Sequence, residues 1–309
     1  MKEVGPERYR ALHLVGIDGS HPARRGVNPS SPIARLLASL VVSAHGRDDA
    51  AGPAMPSPAS ARGAVHDRRG ARALITVDAL RARWQRAIAD DDAVLLGAMV
   101  ADHPALGLAP MTAPDGKSAL MVAAGADDLA LAQALSEGGA SIGSRTEAGA
   151  TAMMFTALGE QVEVVQWLHE QGGELEDVFG GTGWTMLTIA AARGFAPMVD
   201  WLLDIGAVPD PVDVHGFTPL MRSVENGHLE TTLHLLEVEG IAVDHADEYG
   251  NTALHHASAA ARTDLVRALL SAGADAGRFN RAGYPPSALI CGDVELTRLL
   301  AGSIGAAVH

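Results

Sequence analysis

Short apolar stretches with helical spacing recur along the second and larger part of the chain. In the stretch "PMVDWLLD", Met198, Val199, Leu202 and Leu203 stand at positions i, i+1, i+4 and i+5, and "DLVRALLS" repeats this spacing. Such residues share one helical face, which must pack against a neighbouring element. A glycine then ends each predicted helix, as expected for a C-terminal cap. These glycines are Gly139, Gly172, Gly206, Gly240 and Gly273.

A second set of glycines recurs with separations of 33, 34, 33, 34 and 33 residues. Two residues after each glycine stands a Ser or Thr, except in the last unit, where Pro285 takes this place. A hydroxyl there accepts a hydrogen bond from an unpaired backbone N–H in the first helical turn, so the pattern predicts a helix start in each unit. The glycines are Gly116, Gly149, Gly183, Gly216, Gly250 and Gly283, and the hydroxyl residues are Ser118, Thr151, Thr185, Thr218 and Thr252.

The unit that results is a turn, "G-x-T-x-L", a helix, a loop and a second helix that ends in "L-L-x-x-G-A". It resembles the ankyrin repeat, and "GFTPLM" and "GNTALHHA" are close to the T-P-L-H-x-A signature of that family. The resemblance implies an all-α solenoid of about six repeats with short β-hairpin turns between them. The repeats are expected at about 113–145, 146–179, 180–212, 213–246, 247–279 and 280–309, within a domain of residues 74–309. Upstream, residues 78–112 contain a predicted helix pair that suits an N-terminal cap.

Two units depart from the pattern, and one turn is longer than the others. The second unit has "TAMMFTA" in place of the signature. The last has "YPPSALICGD", which lacks the hydroxyl and predicts a divergent cap. From Gly172 to Gly183 the chain runs 11 residues where neighbouring units have 10. The extra residue, in "GELEDVFGGTG", predicts a longer hairpin that carries Phe179 on the face where repeat proteins often bind.

Residues 1–73 have a different composition, crowded with Gly, Pro, Ser and Arg, and are expected to be disordered. Their apolar run "IARLLASLVVSA", residues 33–44, is too short for a membrane span. Arg24 and Arg25 precede this run, and Val42-Ser43-Ala44 loosely resembles a cleavage site, so export to the periplasm or secretion is an alternative to a cytoplasmic location. A non-folding extension and translated sequence upstream of the true start are further interpretations.

The charge is divided unevenly between the two parts. Residues 1–73 hold 11 Lys+Arg against 6 Asp+Glu, a net +5, which leaves 12 against 31, or −19, for residues 74–309. An acidic domain repels phosphates, so the sequence argues against nucleic-acid binding and favours a protein partner with a basic or neutral surface. Arginine outnumbers lysine 21 to 2 and alanine is abundant, which suggests a bacterial source.

The residues that could carry chemistry are explained better by the scaffold. His255 takes the histidine position of the signature, where the resemblance implies a structural role, and His256 cannot share its helical face. A single cysteine, Cys291, excludes an intramolecular disulfide. No nucleophile or phosphate-loop motif is present, so we expect no enzyme activity, no cofactor and no metal. Binding of a small molecule or metal by the His-rich fourth and fifth repeats is an alternative.

The residues around each turn glycine are not needed for helix packing and are the predicted partner-binding surface. Four of the 12 aromatic residues stand there in units three to six. Exposed aromatics are favoured at binding hot spots, although packing on the adjacent hairpin would also explain them. The predicted site comprises Phe179, Trp184, Phe217, Tyr249 and Tyr284 with the acidic residues Asp213, Glu225, Asp247 and Glu248.

The predicted function is non-catalytic binding of another protein. The chain would act as an adaptor, an inhibitor or a toxin-neutralising immunity-type protein, or alternatively as an effector delivered into a host. The sequence does not choose between these roles.

Overall fold

The computed structural model describes residues 76–157, 162–290 and 293–306. The expected disordered extension, residues 1–73, and Cys291 lie outside the described residues. The described α-helices are α1 (Val77–Ala89), α2 (Ala93–Asp102), α3 (Ala119–Gly125), α4 (Leu129–Glu137), α5 (Ala152–Thr156), α6 (Glu163–Glu170), α7 (Met186–Arg193), α8 (Ala196–Asp204), α9 (Pro219–Asn226), α10 (Leu229–Leu236), α11 (Ala253–Ala259), α12 (Thr263–Ser271) and α13 (Val294–Ala306). Short 3-10 helices cover Pro104–Leu106, Gly180–Thr182 and Pro286–Leu289.

The two helices of each unit differ in how they are buried. Helix α7 buries all residues from Met186 to Ala192, whereas α12 buries one face, with Leu265, Val266 and Leu269. The first helix of each unit, which we call the inner helix, lies between the hairpin, the second or outer helix and the neighbouring units. The inner helices are therefore rich in alanine and other apolar residues. One hydrophobic core runs along the whole stack, which confirms the predicted all-α solenoid.

The predicted hydroxyl caps form at several of the inner helices. Thr218 Oγ1 accepts from the N–H of Met221 at 3.3 Å, and Thr185 and Ser118 cap α7 and α3 in the same way. In the divergent second unit, by contrast, the Thr151 hydroxyl is buried without a hydrogen-bond partner. The first helix of the second unit therefore begins without this cap.

The described part of the chain contains six hairpins, which we call fingers; five precede an inner helix, and the sixth precedes the 3-10 helix Pro286–Leu289. In each, the N–H of the first finger residue donates to the carbonyl of the residue after the turn glycine, at 2.7 to 3.0 Å. The third finger spans from Phe179 to Trp184, one residue more than the fourth, from Asp213 to Phe217. The predicted longer hairpin is therefore confirmed. The six pairs are Ala113–Lys117, Thr146–Ala150, Phe179–Trp184, Asp213–Phe217, Asp247–Asn251 and Asn280–Tyr284.

At four of the five junctions between the described fingers, a backbone hydrogen bond joins the tips, and we call these bonds the tip ladder. The N–H of the second residue of the later finger donates to a carbonyl in the turn of the finger before it; for example, Glu248 donates to His215 at 3.0 Å. The first finger has Pro114 in the donor position, which carries no N–H. The ladder bonds are Glu147 to Asp115, Val214 to Thr182, Glu248 to His215 and Arg281 to Tyr249, at 2.8 to 3.1 Å.

The last unit has the 3-10 helix Pro286–Leu289 in place of an inner helix, followed by α13. Pro285, which replaces the capping hydroxyl, precedes this 3-10 helix, and Pro286 is its first residue. Proline at the start of a helix costs no hydrogen bond, but it supplies no cap. The divergence of the last unit is thus visible in its structure.

Candidate partner-binding surface

The predicted site residues divide into exposed and buried groups. Tyr249 is 47% exposed and Tyr284 is 42% exposed, and the Glu248 side chain is also exposed. Trp184, at 9%, is buried, and so are Phe217 and Phe179. The expectation that these aromatic side chains are exposed is therefore wrong for Trp184 and Phe217. Trp184 Nε1 bonds Asp213 of the next finger, and Phe217 packs against His256 of helix α11. A binding role for these buried rings stays a prediction.

Asp213 organises the fourth finger from inside. Its Oδ1 accepts from the N–H groups of His215 and Phe217, both at 2.9 Å, which holds the turn closed. Its Oδ2 accepts from Trp184 Nε1 at 3.1 Å and from Arg222 Nε at 3.1 Å. The carboxylate is fully buried. The sequence predicts that Asp213 faces a partner, but its carboxylate makes only internal contacts in the structure.

Asp247 has the same place in the fifth finger. Its Oδ1 accepts from the N–H groups of Tyr249 and Asn251, both at 2.8 Å, and its Oδ2 bonds His256 Nε2 at 3.0 Å. Burial by itself raises the pKa of Asp247, but the hydrogen bonds from His256, Asn251 and Tyr249 outweigh burial and leave the pKa below its ordinary value. This carboxylate is also fully buried.

The sixth finger repeats the arrangement with an amide. Asn280 Oδ1 accepts from the N–H groups of Ala282 and Tyr284 at 3.1 and 3.0 Å. Its Nδ2 donates to Asn251 Oδ1 at 2.8 Å, which links the fifth finger to the sixth. An uncharged side chain suffices here because the role is to hold the turn.

The buried groups form one continuous chain beneath the fingers. The Arg222 guanidinium lies 4.0 Å from the centre of the Phe217 ring and also bonds Glu225 Oε2 at 2.9 Å. Phe217 in turn packs against the His256 ring, with centroids 5.0 Å apart. Polar and aromatic contacts thus run from Trp184 in the third unit to Asn280 in the sixth, and they make this region rigid.

Arg222, His256 and Asn280 bond the finger side chains internally, and sequence reasoning missed these roles. A usable signal was present: Asp213 precedes Arg222 by nine residues, and Asp247 precedes His256 by the same number. A carboxylate and a cationic or protonatable side chain at a fixed offset in successive repeats indicates an internal pair rather than two independent surface charges.

The exposed tyrosines are held by their backbones. Tyr249 is in the tip ladder, since its carbonyl accepts from Arg281 and its N–H donates to Asp247. The Tyr284 carbonyl bonds His255 Nε2 at 3.1 Å, while His255 Nδ1 lies 2.9 Å from Thr252 Oγ1 and 3.1 Å from its N. Proton placement on Nε2 satisfies all three contacts. Burial lowers the pKa of His255 and outweighs the hydrogen bond to the Tyr284 carbonyl, which favours this neutral form.

The histidines of the fourth and fifth units bond scaffold atoms. His228 Nε2 lies 3.1 Å from the carbonyl of Ala192, and His245 Nε2 lies 3.1 Å from the carbonyl of Gly216. Within the part of the chain that the structure describes, no group of three or more His, Cys, Asp or Glu side chains could hold a metal ion. None of the described helices is long and apolar enough to cross a membrane.

Comparison with known proteins agrees with this architecture. The family model described as "Ankyrin repeats (3 copies)" matches residues 120–213, 162–246 and 208–280, which together span more than half of the chain. The mouse B-cell lymphoma 3 protein homolog is 39% identical over 99 residues, 32% of this chain and 22% of that protein. The chain therefore covers about a fifth of the length of this curated relative.

Two solved structures are similar over most of their length. The ankyrin repeat domain of Bcl-3, a member of the IkappaB protein family, has a TM-score of 0.59 at 25% identity, over 71% of this chain and 97% of that one. The human ASB11 ankyrin repeat domain has a TM-score of 0.62 at 23% identity, over 71% and 96%, and shows the likeness of fold alone. Repeat period, finger geometry and family model agree, and the chain belongs to the ankyrin-repeat family.

Proposed function

We propose that this chain is a non-catalytic scaffold that holds a partner protein on the edge formed by Tyr249, Tyr284 and Glu248, which we call the tyrosine edge. Ankyrin repeats are a typical protein–protein interaction scaffold. The observation that carries the proposal is that two tyrosines are almost half exposed on fingers whose backbones are fixed.

Rigid exposed tyrosines are suited to binding. A tyrosine desolvates a large flat area and loses little side-chain entropy. The buried chain under the fingers holds both residues in place before a partner arrives, which reduces the entropy lost on binding.

The chemistry of the partner follows from charge. Glu248 is exposed beside Tyr249, and residues 74–309 carry a net charge of −19. His215 Nδ1 lies 3.1 Å from Glu248 Oε1, so these two exposed side chains contact each other across adjacent fingers. A basic or neutral surface fits this edge, and the acidic domain would raise the association rate of a basic partner at low salt.

The biological role that we propose is that of an adaptor, inhibitor or immunity-type protein acting in the cytoplasm. Delivery into a host as an effector, or export, would use the same edge. The similarity to Bcl-3 supports the scaffold role and does not distinguish these settings.

Affinity capture from the source organism tests the proposal with wild type and the double variant Tyr249→Ala/Tyr284→Ala. We expect the variant to lose at least about tenfold in affinity for the captured protein, which corresponds to about 1.4 kcal/mol. Leu233→Ala is the matched control, because Leu233 is exposed to a similar degree on the outer helix α10. Equal capture by wild type and the double variant would show that the tyrosine edge is not the binding site.

A further inference from the structure

We propose that residues 33–44 of this same chain dock on an exposed apolar patch of the third and fourth units. The patch consists of Val178, Val208, Val212 and Val214, which are 48%, 50%, 48% and 60% exposed, and we call it the valine patch. It is distinct from the tyrosine edge, and the proposal does not depend on the proposed function.

The valine patch lies on the side of the fingers that faces away from the buried chain. Val212 and Val214 flank Asp213, whose carboxylate points inward to Arg222. Both valines are about half exposed whereas Asp213 is buried, so their side chains face solvent. Val178 precedes the buried Phe179 and holds the place of Val212 one unit earlier.

Hydrogen bonds bring the four valines together on neighbouring segments. The N–H of Val214 donates to the carbonyl of Thr182 at 3.1 Å, across the two fingers. The N–H of Val208 donates to Glu176 Oε1 at 3.0 Å, which places the loop before the fourth finger beside the start of the third. The valines therefore form a patch rather than scattered exposed residues.

The repeat itself does not require valine at these positions. The place of Val214 is held by Glu147, Glu248 and Arg281 in other fingers, and that of Val178 and Val212 is held by Arg145 in the second. Polar residues are thus tolerated by the fold, so the packing of the scaffold does not explain the patch. Contiguous exposed apolar residues with a polar rim are typical of an interaction site.

The rim of the patch is acidic. Residues 174–182 and 204–215, which carry the four valines, contain no Lys or Arg. Asp177 pairs with Arg145 of the preceding unit. The carboxylates of these segments, apart from the buried Asp213, are Glu174, Glu176, Asp177, Asp204 and Asp210. An occupant that fits this surface has an apolar face with arginines beside it.

Residues 33–44 have this chemistry. Five apolar side chains stand at i, i+3, i+4, i+7 and i+8, which is the spacing of one helical face, and Arg35 is on the opposite side. The segment belongs to the part of the chain with net charge +5, facing a domain of −19. An amphipathic segment laid on an apolar surface is a common mode of recognition. The apolar residues are Ile33, Leu36, Leu37, Leu40 and Val41, and the nearby arginines are Arg24, Arg25, Arg35 and Arg47.

The connecting chain is long enough for this contact. Residues 45–76 separate the segment from α1. A random coil of this many residues has a root-mean-square span of about 30 Å, and the same number of residues reaches roughly 100 Å when fully extended. The fourth unit lies about 40 Å from the cap, at roughly 10 Å for each packed unit. Tethering gives the segment an effective concentration in the millimolar range, so a weak contact suffices.

Methyl NMR on the full chain, with ¹³C-labelled valine methyl groups, tests the proposal. In Leu36→Ser/Leu37→Ser we expect the Val212 and Val214 methyl resonances to shift from their wild-type positions, because the apolar contact is removed. Val94, which is exposed in the cap, is the internal reference and should not move. Ala38→Ser is the matched control, because it adds a hydroxyl outside the proposed contact face and should leave the patch resonances unchanged.

Two results would overturn the proposal. Identical Val212 and Val214 resonances in wild type and Leu36→Ser/Leu37→Ser would show that the segment does not reach the patch. Resonances that shift with the concentration of the wild-type protein would show that the occupant is a second copy and not the segment of the same chain.

Discussion

The second and fourth fingers have the same shape but hold it by different means. In the fourth, Asp213 closes the turn and also bonds the neighbouring Trp184 and its own inner helix through Arg222. In the second, Thr146 Oγ1 accepts one N–H, from Ala150 at 3.0 Å. The first residue of the finger therefore links three elements in the fourth unit, namely its own turn, the third finger and its own inner helix. In the second unit the same position holds only its own turn.

This difference matters because repeat proteins gain stability from nearest-neighbour contacts. Where a buried carboxylate joins adjacent units, the units should open together. Where the contact is a turn alone, local opening should be easier, as in low-stability segments generally. We therefore expect the downstream half to be the rigid platform and the upstream half the softer one.

The largest expected effect comes from removing the fourth-finger carboxylate. Asp213→Ala leaves the buried Arg222 guanidinium and Trp184 Nε1 short of a partner and should cost about 3 kcal/mol in the free energy of unfolding. Thr146→Ala, the equivalent change in the second finger, should cost about 1 kcal/mol. Urea titration followed by circular dichroism measures both. Similar losses in the two variants would contradict the proposed difference between the halves.

The next effect concerns the boundary between the two halves. Gly180 has φ +48°, and a Cβ there would lie 2.7 Å from the carbonyl oxygen of Ala148 in the second finger. Gly180→Ala should cost about 2 kcal/mol, because it combines left-handed strain with this clash. Gly181, its neighbour, has open space around a Cβ and is the control, with an expected change within about 0.5 kcal/mol. Equal thermal stabilities of the two variants would refute this account of the longer finger.

Acid should weaken the downstream half through its buried histidines. Burial lowers the pKa of His255, and of His228, below the ordinary 6.5, so the unfolded chain takes up protons that the folded chain does not. The stabilisation is fully present above pH 6.5 and falls below it by at most about 1.4 kcal/mol per pH unit for each histidine. Asp247, also with a lowered pKa, adds a loss below pH 3.8. Equilibrium unfolding between pH 7 and 5 should show a shallower slope in His255→Gln than in wild type; the same slope would exclude His255 as a source.

The smallest expected change in stability distinguishes a hydroxyl that caps a helix from one that has no hydrogen-bond partner. Thr218→Val removes the bond to the N–H of Met221 and should cost about 1 kcal/mol. Thr151→Val replaces a buried hydroxyl that has no partner and should be neutral or slightly stabilising. Melting temperatures of the two isosteric variants compare them directly. A clear loss in Thr151→Val would mean that this hydroxyl is satisfied in solution.

The fold could be predicted further than the surface. Local backbone requirements place a glycine or a hydroxyl residue at a fixed position in each unit. The sequence therefore shows the period of 33 residues, the hydroxyl caps and the longer third finger. Exposure depends instead on the neighbouring unit. Trp184, Phe217 and Tyr284 hold equivalent places, but Asp213 bonds the first and His256 packs on the second. Tyr284 belongs to the last finger that the structure describes and is exposed.

The acidic residues show the same limit. Asp213 and Glu248 both flank a finger tip in the sequence, but Asp213 is the first residue of its finger and is buried, whereas Glu248 is the second residue of its finger and is exposed. The sequence shows that both are acidic but not which one is buried. In the structure Asp213 bonds Arg222 of its own inner helix, whereas Glu248 contacts His215 at the exposed tip of the neighbouring finger.

Pro114 gives the tip ladder a direction. The second, fourth, fifth and sixth fingers each offer an N–H to the finger before them, but the first has none to offer at that position. A second molecule could therefore not extend the ladder by placing its first finger on the last finger of another. Head-to-tail addition of this kind would generate open-ended filaments, because it does not close on itself. One imino acid at the first finger thus removes the backbone donor that such head-to-tail addition through the ladder would need.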